Sequence, residues 1–414
     1  MPAIYLIDVT NRDGVQTARL GLSKLEKTML NIYLNEMGVF QSEFGFPTTR
    51  HETNYIEANL ELAEIGVLKP IRLEGWIRAI VEDVEATFQI IPNINHLNLS
   101  ISTSDQMING KFQGRKTRDD VLKDMTTAVT AARAHGAESI GANAEDASRT
   151  DLNYLVEFGQ AAKEHGADRI RYCDTLGYDN PFTIYETART LAEKAEIPVE
   201  LHCHNDLGMA VANSIAGAMG VIDGGQDAYI NTTVNGVGER AGNADLIAVI
   251  LAIKKSKEFA STYELAGSID LSKAWKIARF ASYAFGVPIP INQPGVGANA
   301  FAHESGIHAD GVLKDPENYE LYDYEELGRG DSDLVETGRE ICTGEYGGIS
   351  GFSHIMGKMD IPVKWQTREK ANEILELVRY ANVESQKPLV EDQLVFIAKY
   401  PGIAKKLMTL TPLD

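Results

Sequence analysis

Cysteine is scarce. The chain of 414 residues has three, Cys173, Cys203 and Cys342. They lie far apart and form no C-x-x-C, which argues against a disulfide framework and for a reducing compartment. Long apolar runs are missing too: none approaches the ~20 residues that cross a bilayer. The opening MPAIYLIDVTNRDG has no basic leader region and reaches a charge at Asp8. Neither a secretory nor a transit peptide is expected, and the expected location is cytoplasmic. Positive charge is also short. Lysine and arginine number 39 against 59 aspartates and glutamates, a net charge of −20. Nucleic acid and membrane surfaces, which demand a basic footprint, are disfavoured as partners. A small anionic substrate remains compatible, because a few arginines in one cleft outweigh the bulk charge locally.

What is present is ordinary for a globular protein: 44% hydrophobic and 24% charged residues. The length calls for a large domain with an addition. Strand-like runs recur at Ile4–Asp8, Val39–Phe44, Ile71–Gly75, His96–Ile101, Ser139–Ala144, Arg169–Cys173, Val199–Cys203 and Ala228–Thr232. Segments of helical spacing separate them, from Ser23–Met37 through Met209–Asp223 to Asn243–Lys254. Eight βα units in ~250 residues predict a (β/α)8 TIM barrel over residues 1–260. No G-x-G-x-x-G follows the first strand, which weakens a dinucleotide-binding alternative. Beyond the barrel, Phe280–His308 is rich in Gly, Pro, Asn and Ala and reads as irregular chain. A linker and lid are expected over 261–328. A small helical C-terminal domain is expected over 329–414, where Ala371, Ile374, Leu375 and Val378 regain helical spacing.

Function in such a barrel sits at the C-terminal ends of the strands. Polar residues follow nearly every predicted strand, but turns are polar anyway. His202-x-His204 is harder to dismiss. Residues i and i+2 of a strand share a face, so both imidazoles can reach one metal ion. In isolation such a pair is as often coincidence as ligand; at the mouth of a barrel strand the ligand reading is favoured. Asp13 could add a carboxylate and Asn243 an amide oxygen. Nitrogen and oxygen donors without thiolate suit Mn²⁺, Mg²⁺ or Zn²⁺ alike. Cys203, between the histidines, faces the other way. Arg12 beside Asp13 is either a weak surface pair or a fixed cation where a substrate oxygen gains charge. The glycine-rich NGVGERAGN run lacks a P-loop lysine and is read as shaping the metal loop.

Four motifs now stand in order: DVTNRDGVQ (Asp8–Gln16), HCHNDLG (His202–Gly208), NGVGERAGN (Asn235–Asn243) and HESGIHADG (His303–Gly311). Together they resemble the acetyl-CoA-dependent Claisen condensing enzymes, the isopropylmalate, citramalate and homocitrate synthases. The stretches SEFGFPTTRHETNYIEAN, RYCDTLGYD and ELYDYEELGRG look like the branch of that family that condenses acetyl-CoA with oxaloacetate to citrate. The resemblance implies a divalent metal, Mn²⁺ first with Mg²⁺, Co²⁺ or Zn²⁺ as alternatives, on Asp13, His202, His204 and Asn243. It implies Arg12 as charge stabiliser, Glu145 as catalytic glutamate, Thr175 on the oxo-acid carboxylate, and Gln16 and Glu43 lining the pocket. His308 and Tyr319 match lid residues, His308 as general base; they would act in trans, which requires a homodimer.

Two departures matter. The chain is too short for a full end-product-sensing domain, so feedback by leucine is not expected. Homocitrate synthases carry an arginine four residues before the counterpart of Glu145, for the distal carboxylate; here that position is Gly141. Arg78 is the stand-in considered. Condensation on 2-oxoglutarate stays as the alternative, and a metal-dependent lyase as a more remote one.

Overall fold

The computed structural model describes residues 2–409 apart from 258, 304–305, 331–367 and 388. Glu304, Cys342 and much of the expected C-terminal unit therefore lie outside the described residues.

Eight parallel strands close into a barrel in chain order: β1 (Ile4–Asp8), β2 (Gln41–Gly45), β3 (Arg72–Arg78), β4 (His96–Ser102), β5 (Ser139–Glu145), β6 (Arg169–Asp174), β7 (Val199–Cys203) and β8 (Ala228–Thr232). The ring shuts where Ile4 to Asp8 pair in register with Ala228 to Thr232. Helices α1 (Lys24–Met37), α2 (Thr53–Glu64), α3 (Val81–Ile90), α4 (Asp105–Lys111), α5 (Arg118–Ala134), α6 (Leu152–Glu164), α7 (Pro181–Ala195), α8 (Ala210–Asp223) and α9 (Leu246–Lys255) form the connections. Local chemistry fixes their starts. Ser23 and Glu26 form a capping box at α1, as Thr117 and Asp120 do at α5. Asn180 caps α7, where Pro181 occupies the first turn and needs no donor.

The expected barrel is the observed one. One element was not foreseen: α4, a short helix between β4 and α5 that buries only Ile108. A second difference concerns Phe280–His308. Phe280 to Phe285 belong to a helix over Ala274–Phe285 that buries Ile277, Phe280, Ala281 and Phe285. His308 lies in a helix over Gly306–Lys314, not in a loop. The glycine and proline content of the intervening chain masked both ends. In the tail, a helix over Arg368–Ser385 buries Ala371, Ile374, Leu375 and Val378 as the spacing predicts. The tail docks on the barrel's outer helices, with the Tyr33 hydroxyl donating to Asp392 (2.7 Å). Among the described residues no helix is long and apolar enough to cross a membrane.

The barrel's interior is charged. Its floor is aromatic: Tyr5 stacks on Tyr229 (4.8 Å) and packs against Phe40 (4.8 Å). Above this floor Glu43, Glu74, Glu200, Arg169 and Arg171 project inward and are buried. Arg169 donates to Glu200 (2.6 Å) and to Glu74. Arg171 donates to the other oxygen of Glu200 (2.7 Å) and to Glu43. Burial pushes the Glu74 carboxyl up, and the neighbouring glutamates add to this; Glu43 and Glu200 are held below the usual range because the guanidiniums outweigh burial.

Removing one partner of a buried charge network strands the rest. Arg171→Met leaves Glu43 and Glu200 without a guanidinium they now share. We expect a loss of about 3–5 kcal/mol, read from chemical denaturation.

Candidate metal centre at the barrel mouth

Alternation carries the interior face of each strand up to the mouth. On β7, Glu200 lies in the charged layer, and His202 and the following His204 come next on the same face. The imidazole Nε2 atoms of His202 and His204 stand 3.2 Å apart. The Asp13 carboxylate, in the turn after β1, lies 3.5 Å from His202 Nε2 and 3.8 Å from His204 Nε2. All three side chains are buried and can present one donor each to a common point. Cys203 faces outward into the helical layer, buried, as the alternation predicts.

The arrangement fits a metal. Asn231 Nδ2 donates to Glu200 (2.7 Å), so its Oδ1 is the atom facing His202 Nδ1 (3.0 Å). That Nδ1 therefore donates to Asn231, which turns Nε2 toward the cluster as the atom able to ligate. Burial, with His202 next to it, pushes His204 down to about 3, toward the neutral form that binds metals. Burial alone would raise Asp13, but the neighbouring charge, Arg12 first, outweighs it and holds the carboxyl well below the usual range. A carboxylate and two imidazole nitrogens therefore converge on one point, a donor set that suits a cation. Asn243 touches Asp13 through its amide (2.5 Å), while its Oδ1 is buried without a partner. Rotating that amide turns the oxygen to the cluster as a fourth donor.

The glycine-rich run places Asn243. Asn243 N donates to Gly236 O (3.0 Å), and Asn205 N to Gly242 O (2.9 Å). Gly242 adopts φ +91°, and a Cβ there would sit 2.0 Å from Gly236 O, so only glycine closes this loop.

Arg12 is buried above the ionic layer. It bridges Asp13 (3.3 Å) and Glu43 and lies against the Trp76 ring (5.7 Å). Glu43, expected in the pocket lining, has no exposure; Arg12 takes one of its oxygens and Arg171 the other. Gln16 is exposed at the rim. Thr175 is half-buried and its hydroxyl accepts from Asp146 N (2.9 Å). Glu145 ends β5, where the Ser102 hydroxyl donates to it and Lys111 Nζ bonds it at 2.5 Å. Arg78 is exposed and gripped by both oxygens of Asp83 (2.8 and 2.6 Å). His308 and Tyr319 stack on each other (4.2 Å). Among the described residues, no hydrogen bond, ion pair or ring contact joins either to the mouth.

Sequence reasoning gave no role to Asn231, Arg171, Glu200 or Lys111. The first three carried a visible signal: charged or amide residues on the interior face of strands that should be apolar.

A closed (β/α)8 barrel with three residues at its C-terminal mouth able to hold a metal ion defines the class. A family model described as HMGL-like matches residues 3–281, and one described as homocitrate synthase post-HMGL domain-like matches 296–379. The chain belongs to the HMGL-like family. It is 72% identical to citrate (Re)-synthase of Dehalococcoides mccartyi over 100% of this chain and 99% of that one. It is 39% identical to 2-isopropylmalate synthase 2 of Caldanaerobacter subterraneus subsp. tengcongensis over 95% of this chain and 94% of that one. Hydroxymethylglutaryl-CoA lyase from Pseudomonas aeruginosa superposes with a TM-score of 0.57 at 15% identity, covering 70% of this chain and 95% of that one, which shows the shared fold.

Asn231 orients His202 from behind and offers the metal no donor of its own. Asn231→Ala should weaken divalent-metal affinity about 10–100-fold with the fold intact, measured by metal titration beside a circular-dichroism control.

Proposed function

We propose that the chain condenses acetyl-CoA with oxaloacetate on the Re face of the carbonyl and hydrolyses the thioester to citrate and CoA. The observation that carries this is the 72% identity, end to end, with a citrate (Re)-synthase. The chemistry of the mouth agrees with it. Asp13, His202, His204 and Asn243 would hold the divalent ion, Mn²⁺ first among the candidates, which as a Lewis acid polarises the oxo-acid carbonyl. Arg12 lends fixed positive charge to the oxygen that becomes negative. Thr175 holds the substrate carboxylate, with Gln16 and Arg78 at the rim. His308, aided by Tyr319 and Glu145, removes a proton from the acetyl methyl group. The resulting carbanion attacks the carbonyl carbon, and water then cleaves the thioester. The His308 base must be dry and positioned to take so weakly acidic a proton, which a closing lid provides. The lid would come from a second copy of the chain, making a cytoplasmic homodimer.

Oxaloacetate is favoured over 2-oxoglutarate by the floor beneath Glu145. Gly141 stands there with Asn98 Nδ2 2.5 Å from where a Cβ would be, so β5 brings no arginine to meet a longer dicarboxylate.

CoA release should require acetyl-CoA, oxaloacetate and a divalent ion together, with 2-oxoglutarate, pyruvate and 2-oxoisovalerate slower. Full activity after exhaustive chelation would refute the mechanism, and labelled acetyl-CoA followed by stereochemical analysis of the citrate checks the face. His308→Ala should lower kcat about 10²–10⁴-fold. Mixing inactive His308→Ala and Glu145→Gln proteins should restore activity if the lid acts in trans. No restoration from proteins shown to exchange subunits would place the lid in cis.

A further inference from the structure

The mouth carries several cations, and most are engaged by carboxylates that take no part in the proposed chemistry. Arg78 is held by Asp83, Arg149 by Asp146 (2.7 Å) and Arg240 by Asp206 (2.9 Å). Lys111 is different. It sits on the last residue of α4, half-exposed, and its bonds run to Ser102 Oγ (3.1 Å) and to Glu145 Oε2 (2.5 Å). Its carboxylate partner is thus a residue assigned to the reaction itself.

We propose that Lys111 binds the distal carboxylate of the dicarboxylic oxo acid and releases Glu145 when it does so. The proposal rests on the reaction proposed above. One wall of the mouth links the two ends of such a substrate. Cys173 Sγ donates to Asn143 Oδ1 (2.8 Å), and Cys173 pairs with His202 of the neighbouring strand β7. Asn143 and Glu145 share the inward face of β5, and Ser102 pairs with Glu145 across β4. A four-carbon oxo acid anchored beside Arg12 and Asp13 lays its second carboxylate along this wall. Position 141, where the strand below could have carried a cation, is a glycine packed against Asn98. Lys111 reaches the same wall from above, on a flexible stem.

The exchange is an ion-pair swap with no bond broken. Unliganded, the Lys111 ammonium neutralises Glu145 and holds its carboxylate away from the chemistry. A substrate carboxylate takes the ammonium, and Glu145 is left to act with the lid base. An oxo acid without the second carboxylate, such as pyruvate, binds but leaves Glu145 engaged. Recognition of the dicarboxylate and readiness of the glutamate thereby become one event.

The experiment compares oxaloacetate and pyruvate binding to the metal-loaded protein by calorimetry, in wild type, Lys111→Met and Lys111→Arg. Lys111 is half-exposed, so both variants should fold. Lys111→Met should weaken oxaloacetate at least about tenfold and leave pyruvate within about twofold; Lys111→Arg should keep oxaloacetate close to wild type. Unchanged oxaloacetate affinity in Lys111→Met, or equal weakening of both acids, overturns the role of Lys111 alone. A wild-type protein that makes no citrate overturns the reaction beneath it.

Discussion

Two chains of hydrogen bonds leave one buried guanidinium–carboxylate pair, Arg171 and Glu200, and end on the metal cluster. Glu200 accepts from Asn231, which turns the His202 imidazole so that its Nε2 faces the cluster. Arg171 donates to Glu43, which binds Arg12, which in turn lies against Asp13. The barrel's charged interior is therefore what aims its mouth. A hydrophobic filling of equal volume would cost less desolvation and could well be more stable. It could not fix a tautomer or hold a guanidinium beside a carboxylate that must stay ionised. The opposed charges in this layer, Glu43, Glu74 and Glu200 against Arg12, Arg169 and Arg171, are what makes the burial tolerable. Glu74 is the member least compensated, which is why burial raises it while its neighbours are lowered.

This layer also explains how much of the molecule was legible in its sequence. The barrel was readable because each unit advertises itself: a β-branched or apolar run, a polar turn, a helical stripe. The cluster was readable because strand alternation puts His202 and His204 on one face whatever surrounds them. The charged layer went unread for a physical reason. Arg169, Arg171, Glu74 and Glu200 lie inside strands, where a charge is taken as a mark of the outer surface or a strand end. Here the closed sheet gives them one another as partners, and pairing is the condition under which such residues are buried at all. Glu43 was assigned to the pocket by resemblance, yet its oxygens are both spent one layer down.

The helix α4 was missed because little in its sequence announces it. Seven residues bury one apolar side chain, and Gly114 follows shortly after. Its N-cap, Ser104, does accept from Met107 N, so a capping signal existed without a stripe behind it. The omission matters because Lys111 reaches the mouth only through that helix. A lysine read as part of a solvated loop has no reason to meet Glu145; one on the last turn of a helix capped beside β4 does.

On the proposed mechanism, the division between rigid strands and a separate lid follows from what each group must do. Groups that grip the oxo acid have to be exact before it arrives, because a displaced cation or donor loses most of its effect on developing charge. Arg12, Asp13 and His202 sit at strand ends and draw their orientation from the buried layer. The base has the opposite requirement. It must be absent while substrates enter and present, dry, when the methyl proton leaves. His308 and Tyr319 accordingly lie on a segment outside the barrel, stacked on each other, with no bond to the mouth among the described residues. Glu145 stands between the two regimes: fixed by its strand, yet tethered to a cation on a half-exposed stem. A substrate that draws this cation away changes the charge at the one position where the strand-borne and lid-borne groups have to meet.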